Sequence, residues 1–226
     1  MWNSGITRQQ SSYFLTTWFY RPDLNRYSYA LSVGDKKPTS ERENVLVKAA
    51  RKFQNLSVRE DLFMNMTDCY GRAPVVDPDP TFLLAANDFN AIAYPKKMID
   101  KPYLLVYSLM YNEQTWAAAR EMARRMNLKL VILQCYQYGW WGHPDRKDVY
   151  LASSPDRFLA YFRDASAVIT SSFHGTAFSL IYGKPFAVLP NHDGKVPARS
   201  ALLLKKLNES FHAVDCPDRM DLMEEA

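Results

Sequence analysis

The stretch from Ala165 to Leu189 constrains the fold of this chain most, because it has the pattern of a strand, a helix and a second strand in succession. Ala167 to Thr170 is a short apolar run rich in β-branched residues, which predicts a buried strand. The apolar run from Thr176 to Tyr182 predicts a helix that ends at Gly183, and Phe186 to Leu189 predicts the second strand. Parallel strands joined in this way place the turn after the first strand at the carboxyl edge of the sheet, where open α/β sheets bind ligands.

That turn carries the strongest candidate for a functional residue. It contains Ser171, Ser172, His174 and Gly175, and Thr176 opens the predicted helix. Unpaired N–H groups at the start of a helix attract anions. An imidazole placed there can act as a base, or as an acid once it is protonated. We therefore predict that His174 is catalytic. The alternatives are a structural histidine that bridges backbone groups and, for Ser172, a helix cap.

Strands and helices alternate along the whole chain, which predicts the α/β fold class with two Rossmann-like domains. We assign residues 1–94 to an N-terminal α/β domain, residues 95–102 to a polar, proline-flanked hinge, and residues 103–226 to a C-terminal Rossmann-like domain. The first domain offers only short strands, which are too few to bury a sheet on both faces. We therefore expect the N-terminal domain to be incomplete.

The local patterns predict elements in both domains. In the first domain we expect strands at 26–33 and 56–58 and helices at 41–53, 60–68 and 87–92. In the second we expect further strands at 103–107, 128–133 and 211–214, helices at 112–126, 154–164 and 197–207, and a long loop at 134–153. The loop holds Trp140, Trp141 and His143, which would either stack on a sugar ring or pack half-buried.

Three cations stand at or near predicted strand ends. Arg59 directly follows the strand at 56–58, and Lys195 and Arg199 follow the strand that begins at Phe186. Guanidinium groups suit phosphate and carboxylate oxygens. We expect Arg59 and Arg199 to converge on one cleft. For each cation taken alone, a solvated surface charge is the alternative.

Composition narrows the function classes. The net charge of +4 is modest and does not argue for nucleic acid. Three separated cysteines indicate a reducing compartment, and neither a signal peptide nor a membrane-spanning run is evident, so we expect a cytoplasmic protein. Asp77 and Asp79 lie two residues apart without a nearby third ligand, so we expect no metal.

The phrase from Ser171 to Phe186, S-S-F-H-G-T-A-F-S-L-I-Y-G-K-P-F, closely resembles the D-S-F-H-G-T-x-F-S-I-I-F-x-K-P-F segment of bacterial polysaccharide pyruvyl transferases. Three other segments agree in the family's order: Tyr29 to Gly34, Ser57 to Glu60 and Asp79 to Leu84. The resemblance extends from about Trp2 to about Leu207, which is nearly the whole chain.

The resemblance implies a GT-B-type fold and transfer of a pyruvyl group from phosphoenolpyruvate to two hydroxyls of a sugar residue, as a ketal, in cell-surface polysaccharide biosynthesis. It implies phosphoenolpyruvate and a sugar or lipid-linked oligosaccharide acceptor as partners, with no further cofactor. Carried over residue by residue, it supports catalytic roles for His174 and Arg59. The expected substrate-binding residues are Arg199, Lys195, Ser172, Gly175 and Thr176.

Two departures from the family pattern keep other functions open. Ser171 stands where the family often has Asp, and the family's opening strand and Gly-rich turn are missing before Trp2. We therefore expect a truncated, catalytically impaired chain that forms homo-oligomers or aggregates through its aromatic opening, or that opens rapidly there. The alternatives are a GT-B glycosyltransferase that uses a nucleotide sugar, and a truncated, non-catalytic glycan-binding relative.

Overall fold

The computed structural model describes residues 25–32, 51–59, 74–108, 113–134, 147–152, 154–190 and 194–213. The chain divides into two compact units, Met1–Leu83 and Leu84–Ala226. The described strands are all parallel to their neighbours, which confirms an α/β fold.

The first unit contains a two-stranded parallel sheet of β1 (Ser57–Val58) and β2 (Val75–Val76). Residues 25–32 join it through isolated parallel bridges, Tyr27 to Asn55 and Leu31 to Val58. Those bridges take the place of the strand predicted at 26–33. A 3₁₀ turn, Pro80–Leu83, ends the unit.

The second unit contains a five-stranded sheet and five α-helices among the described residues. The strands are β3 (Tyr103–Tyr107), β4 (Lys129–Gln134), β5 (Val149–Leu151), β6 (Ala167–Thr170) and β7 (Phe186–Val188). The helices are α1 (Ala86–Ile92), α2 (Glu113–Arg125), α3 (Pro155–Asp164), α4 (Phe173–Ile181) and α5 (Ala198–Leu207), followed by a 3₁₀ turn, Ser210–His212.

The strand order of this sheet is β5-β4-β3-β6-β7. The chain builds outward from β3 to β5 on one side and then returns to add β6 and β7 on the other side. The order in which successive strands are added therefore reverses between β3 and β6. In open α/β sheets the crevice outside the carboxyl ends of the strands at such a reversal is the usual ligand site.

Helices cover both faces of the sheet, as its nearly continuous apolar strands require. On one face Leu105 and Val168 pack with Phe162 of α3 and Phe178 of α4. On the other face Val106, Ile132 and Ile169 pack in one cluster with Trp116 and Met122 of α2. This two-sided burial positions the carboxyl ends of β3 and β6 rigidly.

Several predicted elements are confirmed in the second unit. The strands at 103–107 and 167–170 have the predicted limits, and the helix after Ser154 ends at Asp164 as expected. Gly183 ends α4 with φ 57°, and its N–H and that of Lys184 donate to Leu180 O and Ser179 O. This left-handed residue closes the helix by the Schellman pattern.

Other predictions need correction. Helix α4 begins at Phe173, three residues before the predicted start, because Phe173, His174 and Gly175 of the predicted turn also adopt helical geometry. The predicted loop at 134–153 contains β5, which forms because its backbone pairs with β4. In the described part of the strand predicted at 211–214, residues 211 and 212 lie in a 3₁₀ turn, and Ala213 forms an isolated bridge to Val188 of the edge strand.

The division between the units falls between Leu83 and Leu84, ahead of the predicted hinge at 95–102. The reason is packing: Phe89 and Ala93 of the α1 region and Ile99 of the predicted hinge belong to the core of the second unit. The helix predicted at 60–68, nearly all of that predicted at 41–53, and the loop tryptophans Trp140 and Trp141 lie outside the described residues.

Within the described segments, none of the helices combines the length and apolar character needed to cross a membrane.

Candidate functional site at the carboxyl edge of the second sheet

Thr170 fixes the turn that follows β6. Its hydroxyl donates to the carbonyl oxygen of Tyr107 at 2.6 Å and accepts the N–H of Ser172 at 3.0 Å. Thr170 is fully buried. A buried hydroxyl with both of its hydrogen-bonding functions satisfied is a rigid anchor. The carboxyl ends of β3 and β6 are thus joined by side-chain as well as backbone hydrogen bonds.

A pair of serine hydroxyls lies at the same point of the sheet. The Oγ atoms of Ser108, which follows β3, and Ser171, which follows β6, are 2.8 Å apart, and both residues are 5% exposed. Sequence reasoning missed Ser108, although its position directly after a buried strand could have marked it. The residue at the family's Asp position is therefore anchored to the neighbouring strand end.

The start of α4 lies directly after this anchored turn. Ser172 occupies the N-cap position of α4, as the capping alternative expects, but its side chain makes no capping hydrogen bond. The first N–H groups of an α-helix have no acceptor within the helix. An anion at this end would be favoured by those N–H groups and by the helix dipole.

His174 is the second residue of α4 and is partly exposed, whereas its neighbours Phe173 and Gly175 are buried. The imidazole thus belongs to the first helical turn instead of the preceding loop. It keeps the access to solvent that a proton-transferring group needs.

Gly175 packs directly on the end of β6. A Cβ atom built on it would lie 2.0 Å from Thr170 Oγ1 and 2.8 Å from Thr170 Cβ. Contacts this short are not tolerated, so only glycine permits α4 to approach the strand so closely. The predicted substrate-binding position is therefore one where the backbone of α4 touches the sheet.

Thr176 connects α4 with α5. Its hydroxyl lies 3.1 Å from the carbonyl oxygen of Ser172 and 3.1 Å from Ser200 Oγ. Thr176 and Ser200 are fully buried. This polar contact holds the first turns of the two helices together.

Arg199 and His174 both approach the ring of Phe173. The guanidinium carbon of Arg199 lies 5.7 Å from the centroid of the ring, and the imidazole centroid lies 5.6 Å from it, at an interplanar angle of 81°. Phe173 is 6% exposed. The structure thus brings two predicted site residues, one from each helix start, to the same buried ring.

Lys195 is exposed and lies two residues before Pro197, the N-cap of α5. It therefore belongs to the connection that leads from β7 to the start of the helix that carries Arg199.

Arg59 lies in the first unit, directly after β1 as predicted. Its guanidinium forms an ion pair with the Asp79 carboxylate, and the two side chains are 10% and 4% exposed. Asp79 also accepts hydrogen bonds from the N–H of Thr81 at 3.0 Å and from its hydroxyl at 2.8 Å. Asp79 therefore orients Arg59. The predicted convergence of Arg59 with Arg199 stays a prediction.

Asp77 and Asp79 follow β2, and both are engaged within the first unit. Asp77 accepts a hydrogen bond from the hydroxyl of Ser57, and Asp79 holds Arg59. Across the described segments, no group of three histidine, cysteine or acidic side chains has the arrangement of a metal site.

Burial shifts the pKa of two ionisable residues at the opposite, amino edge of the second sheet. Desolvation raises the pKa of Tyr103, the first residue of β3, with a further contribution from the negative charge of Asp164. Desolvation also lowers the pKa of Lys184, which precedes β7. These shifts reflect packing at that edge, away from the turn that carries His174.

Comparison with known proteins identifies the family. A search of curated proteins finds no match. The family model for polysaccharide pyruvyl transferase matches residues 2–193. The matched range contains Arg59 and the whole turn around His174, whereas Lys195 and Arg199 follow it. Because the match covers most of the chain, the protein belongs to the polysaccharide pyruvyl transferase family.

Proposed function

We propose that this protein transfers a pyruvyl group from phosphoenolpyruvate to two hydroxyls of a sugar residue in a cell-surface polysaccharide or its lipid-linked precursor. The observation that carries the proposal is the convergence of His174 and Arg199 on Phe173 at the start of α4. An acid and a cation near the first N–H groups of a helix suit this donor, because phosphoenolpyruvate carries both a phosphate and a carboxylate.

The first chemical step is protonation of the donor. His174, in its imidazolium form, gives a proton to the methylene carbon, which becomes a methyl group. Positive charge then develops on the neighbouring carbon, and the oxygen of the first sugar hydroxyl attacks it. The proton released by that hydroxyl returns to the imidazole.

The second step completes the ketal. The bond between the central carbon and the phosphate oxygen breaks, inorganic phosphate leaves, and the second sugar hydroxyl attacks the same carbon. One hydroxyl proton thus ends on the methyl group and the other on phosphate. Arg199 and the N–H groups of α4 would stabilise the charge of the departing phosphate.

The remaining site residues have supporting roles in this proposal. Arg59, oriented by Asp79, and Lys195 would bind anionic groups of the donor. Ser172 is only 3% exposed, which favours a role in positioning the turn, and its direct contact with the donor stays a prediction. The burial of Gly175 and Thr176 favours a role in positioning α4. Their direct contact with substrate stays a prediction, as do a GT-B arrangement of two Rossmann-like domains and a cytoplasmic location.

A thermal-shift experiment tests the donor. The full chain is heated with phosphoenolpyruvate, with nucleotide sugars and with inorganic phosphate, because a ligand that binds the native state raises the unfolding midpoint. We expect phosphoenolpyruvate to give the largest increase. A larger increase with a nucleotide sugar would instead support a glycosyltransferase.

A turnover assay tests the reaction. The chain is incubated with phosphoenolpyruvate and glycosides that carry pairs of free hydroxyls, and both phosphate release and the acid-labile ketal are measured. We expect equal amounts of the two products. Donor binding without either product, across the acceptor panel, would support a non-catalytic glycan-binding relative.

A further inference from the structure

We propose that Phe173 is a positioning residue that holds the Arg199 guanidinium and the His174 imidazole in place for the anionic donor. This inference rests on the proposed function and concerns the same site. Phe173 is the first residue of α4, and its ring is buried although the adjacent imidazole is partly exposed. A buried aromatic ring at a helix start gives its neighbours a fixed surface.

The contact with Arg199 is favourable in itself. A guanidinium within about 6 Å of a ring centroid is attracted by the negative face of the ring, and the attraction strengthens when the pair is withdrawn from water. Here the distance is 5.7 Å, the ring is 6% exposed, and Arg199 is half-buried. The ring therefore restricts a long side chain that would otherwise lose conformational freedom when it binds an anion.

The contact with His174 is made by the same ring. The two rings are nearly perpendicular, with centroids 5.6 Å apart, which is a preferred geometry for aromatic pairs. Since the imidazole and the guanidinium both lie next to the Phe173 ring, a shift of this ring displaces both groups together.

The helix starts that carry these groups are locked one turn further along. Thr176 and Ser200 are fully buried, and their hydroxyl oxygens are 3.1 Å apart. Phe173 and Thr176 are three residues apart on α4 and thus share a face, and Arg199 and Ser200 are adjacent on α5. The polar pair fixes the two helices, and the ring then sets the position of the functional side chains.

A double-mutant cycle tests this role. Isothermal titration calorimetry gives the dissociation constant for phosphoenolpyruvate in wild type, Phe173→Leu, Arg199→Gln and the double variant. We expect Phe173→Leu to weaken binding about tenfold in the wild-type background and less than about twofold in the Arg199→Gln background. An equal loss in both backgrounds, or no loss in either, would overturn the inference.

Two further variants separate positioning from general packing. Phe173→Tyr keeps the ring and should bind phosphoenolpyruvate within about twofold of wild type. Phe162→Leu removes a fully buried ring of α3 in the same unit and should likewise keep donor affinity. If Phe162→Leu weakens donor binding as much as Phe173→Leu does, the effect is one of core packing and the inference is wrong.

A measurement without donor decides the inference independently of the proposed function. ¹⁵N relaxation of the Arg199 Nε–H group in the full chain reports the order of its side chain on the fast timescale. We expect the order parameter to fall in Phe173→Leu and to stay unchanged in Phe173→Tyr and Phe162→Leu. An unchanged value in Phe173→Leu overturns the positioning role. Absence of phosphoenolpyruvate binding in wild type would instead overturn the proposed function.

Discussion

At the scale of single residues, the candidate site contains two kinds of residue, those that are partly exposed and those that are buried. His174 and Arg199, which the proposed function places against the donor, are both only partly buried. Thr170, Gly175 and Thr176 are buried among backbone groups and fix the geometry around them. His174 thus lies in a helical turn whose neighbouring residues are tightly packed.

We predict that His174→Ala lowers pyruvyl transfer by about a hundredfold to ten-thousandfold, because the variant lacks the proposed general acid. The thermal midpoint should change little, since the imidazole is partly exposed. Phosphate release and far-UV circular dichroism measure the two effects. His212→Ala, which removes a histidine stacked on Phe186, serves as the control and should retain turnover. Unchanged turnover in His174→Ala would end the catalytic assignment.

Gly175→Ala should destabilise the fold by about 1–3 kcal/mol or more, because the new Cβ overlaps Thr170 Oγ1. Alanine has the higher helix propensity, but that gain of about 1 kcal/mol is smaller than the cost of the overlap. Urea denaturation measures the change. In a Thr170→Ala background, which removes the nearest atom, the same substitution should cost less. An equal cost in both backgrounds would show that the overlap is not the cause.

At the scale of secondary-structure elements, strand β3 is the centre of the second unit. It pairs with β4 on one side and β6 on the other, and every one of its residues is buried. Its amino end is joined to α3 by the Tyr103 hydroxyl, which donates to the carbonyl oxygen of Tyr161 at 2.6 Å. Its carboxyl end accepts the hydroxyl of Thr170 and leads to Ser108 at the site.

Tyr103→Phe should lower the free energy of unfolding by about 1–3 kcal/mol at neutral pH, because a buried carbonyl oxygen loses its donor. Burial raises the pKa of Tyr103, so the folded state keeps the hydroxyl protonated. The unfolded state releases this proton above about pH 10. Wild type should therefore lose stability relative to Tyr103→Phe as the pH rises beyond that value.

Urea denaturation at pH 7 and at pH 10.5 measures this difference. Tyr27→Phe, at a position where the side chain is 66% exposed, is the matched control and should follow wild type at both pH values. A difference between wild type and Tyr103→Phe that does not shrink at high pH would contradict the prediction.

At the scale of the whole molecule, the two units differ in how their described sheets are built. The second has five parallel strands with helices on both faces. In the first, β1 and β2 have two residues each, and Val75 of β2 is 55% exposed. Short strands with an exposed residue bury less apolar surface per backbone hydrogen bond.

We therefore predict that amide hydrogen exchange is faster at 57–58 and 75–76 than at 103–107 and 167–170, because local opening is easier where fewer apolar contacts are lost. Mass spectrometry of peptides from the intact chain measures these rates, and size-exclusion chromatography shows whether the chain associates. Slow, uniform protection of both sheets in a monomer would show that the first unit is as stable as the second.

Much of the second unit could be predicted because its signals are local. The apolar strands at 103–107 and 167–170, the Ser154-Pro155 helix start and the helix end at Gly183 all follow from neighbouring residues. The family was recognisable for the same reason, since its motif is a continuous phrase around His174.

Only the tertiary structure decided the features that join residues distant in the sequence. These are the reversal of strand order between β3 and β6, the pairing of Ser108 with Ser171, the approach of Arg199 to Phe173 and the ion pair of Arg59 with Asp79. The physical reason is that a periodic pattern specifies which face of an element is buried, whereas the partner buried against it is selected by the packing of the whole sheet and its helices.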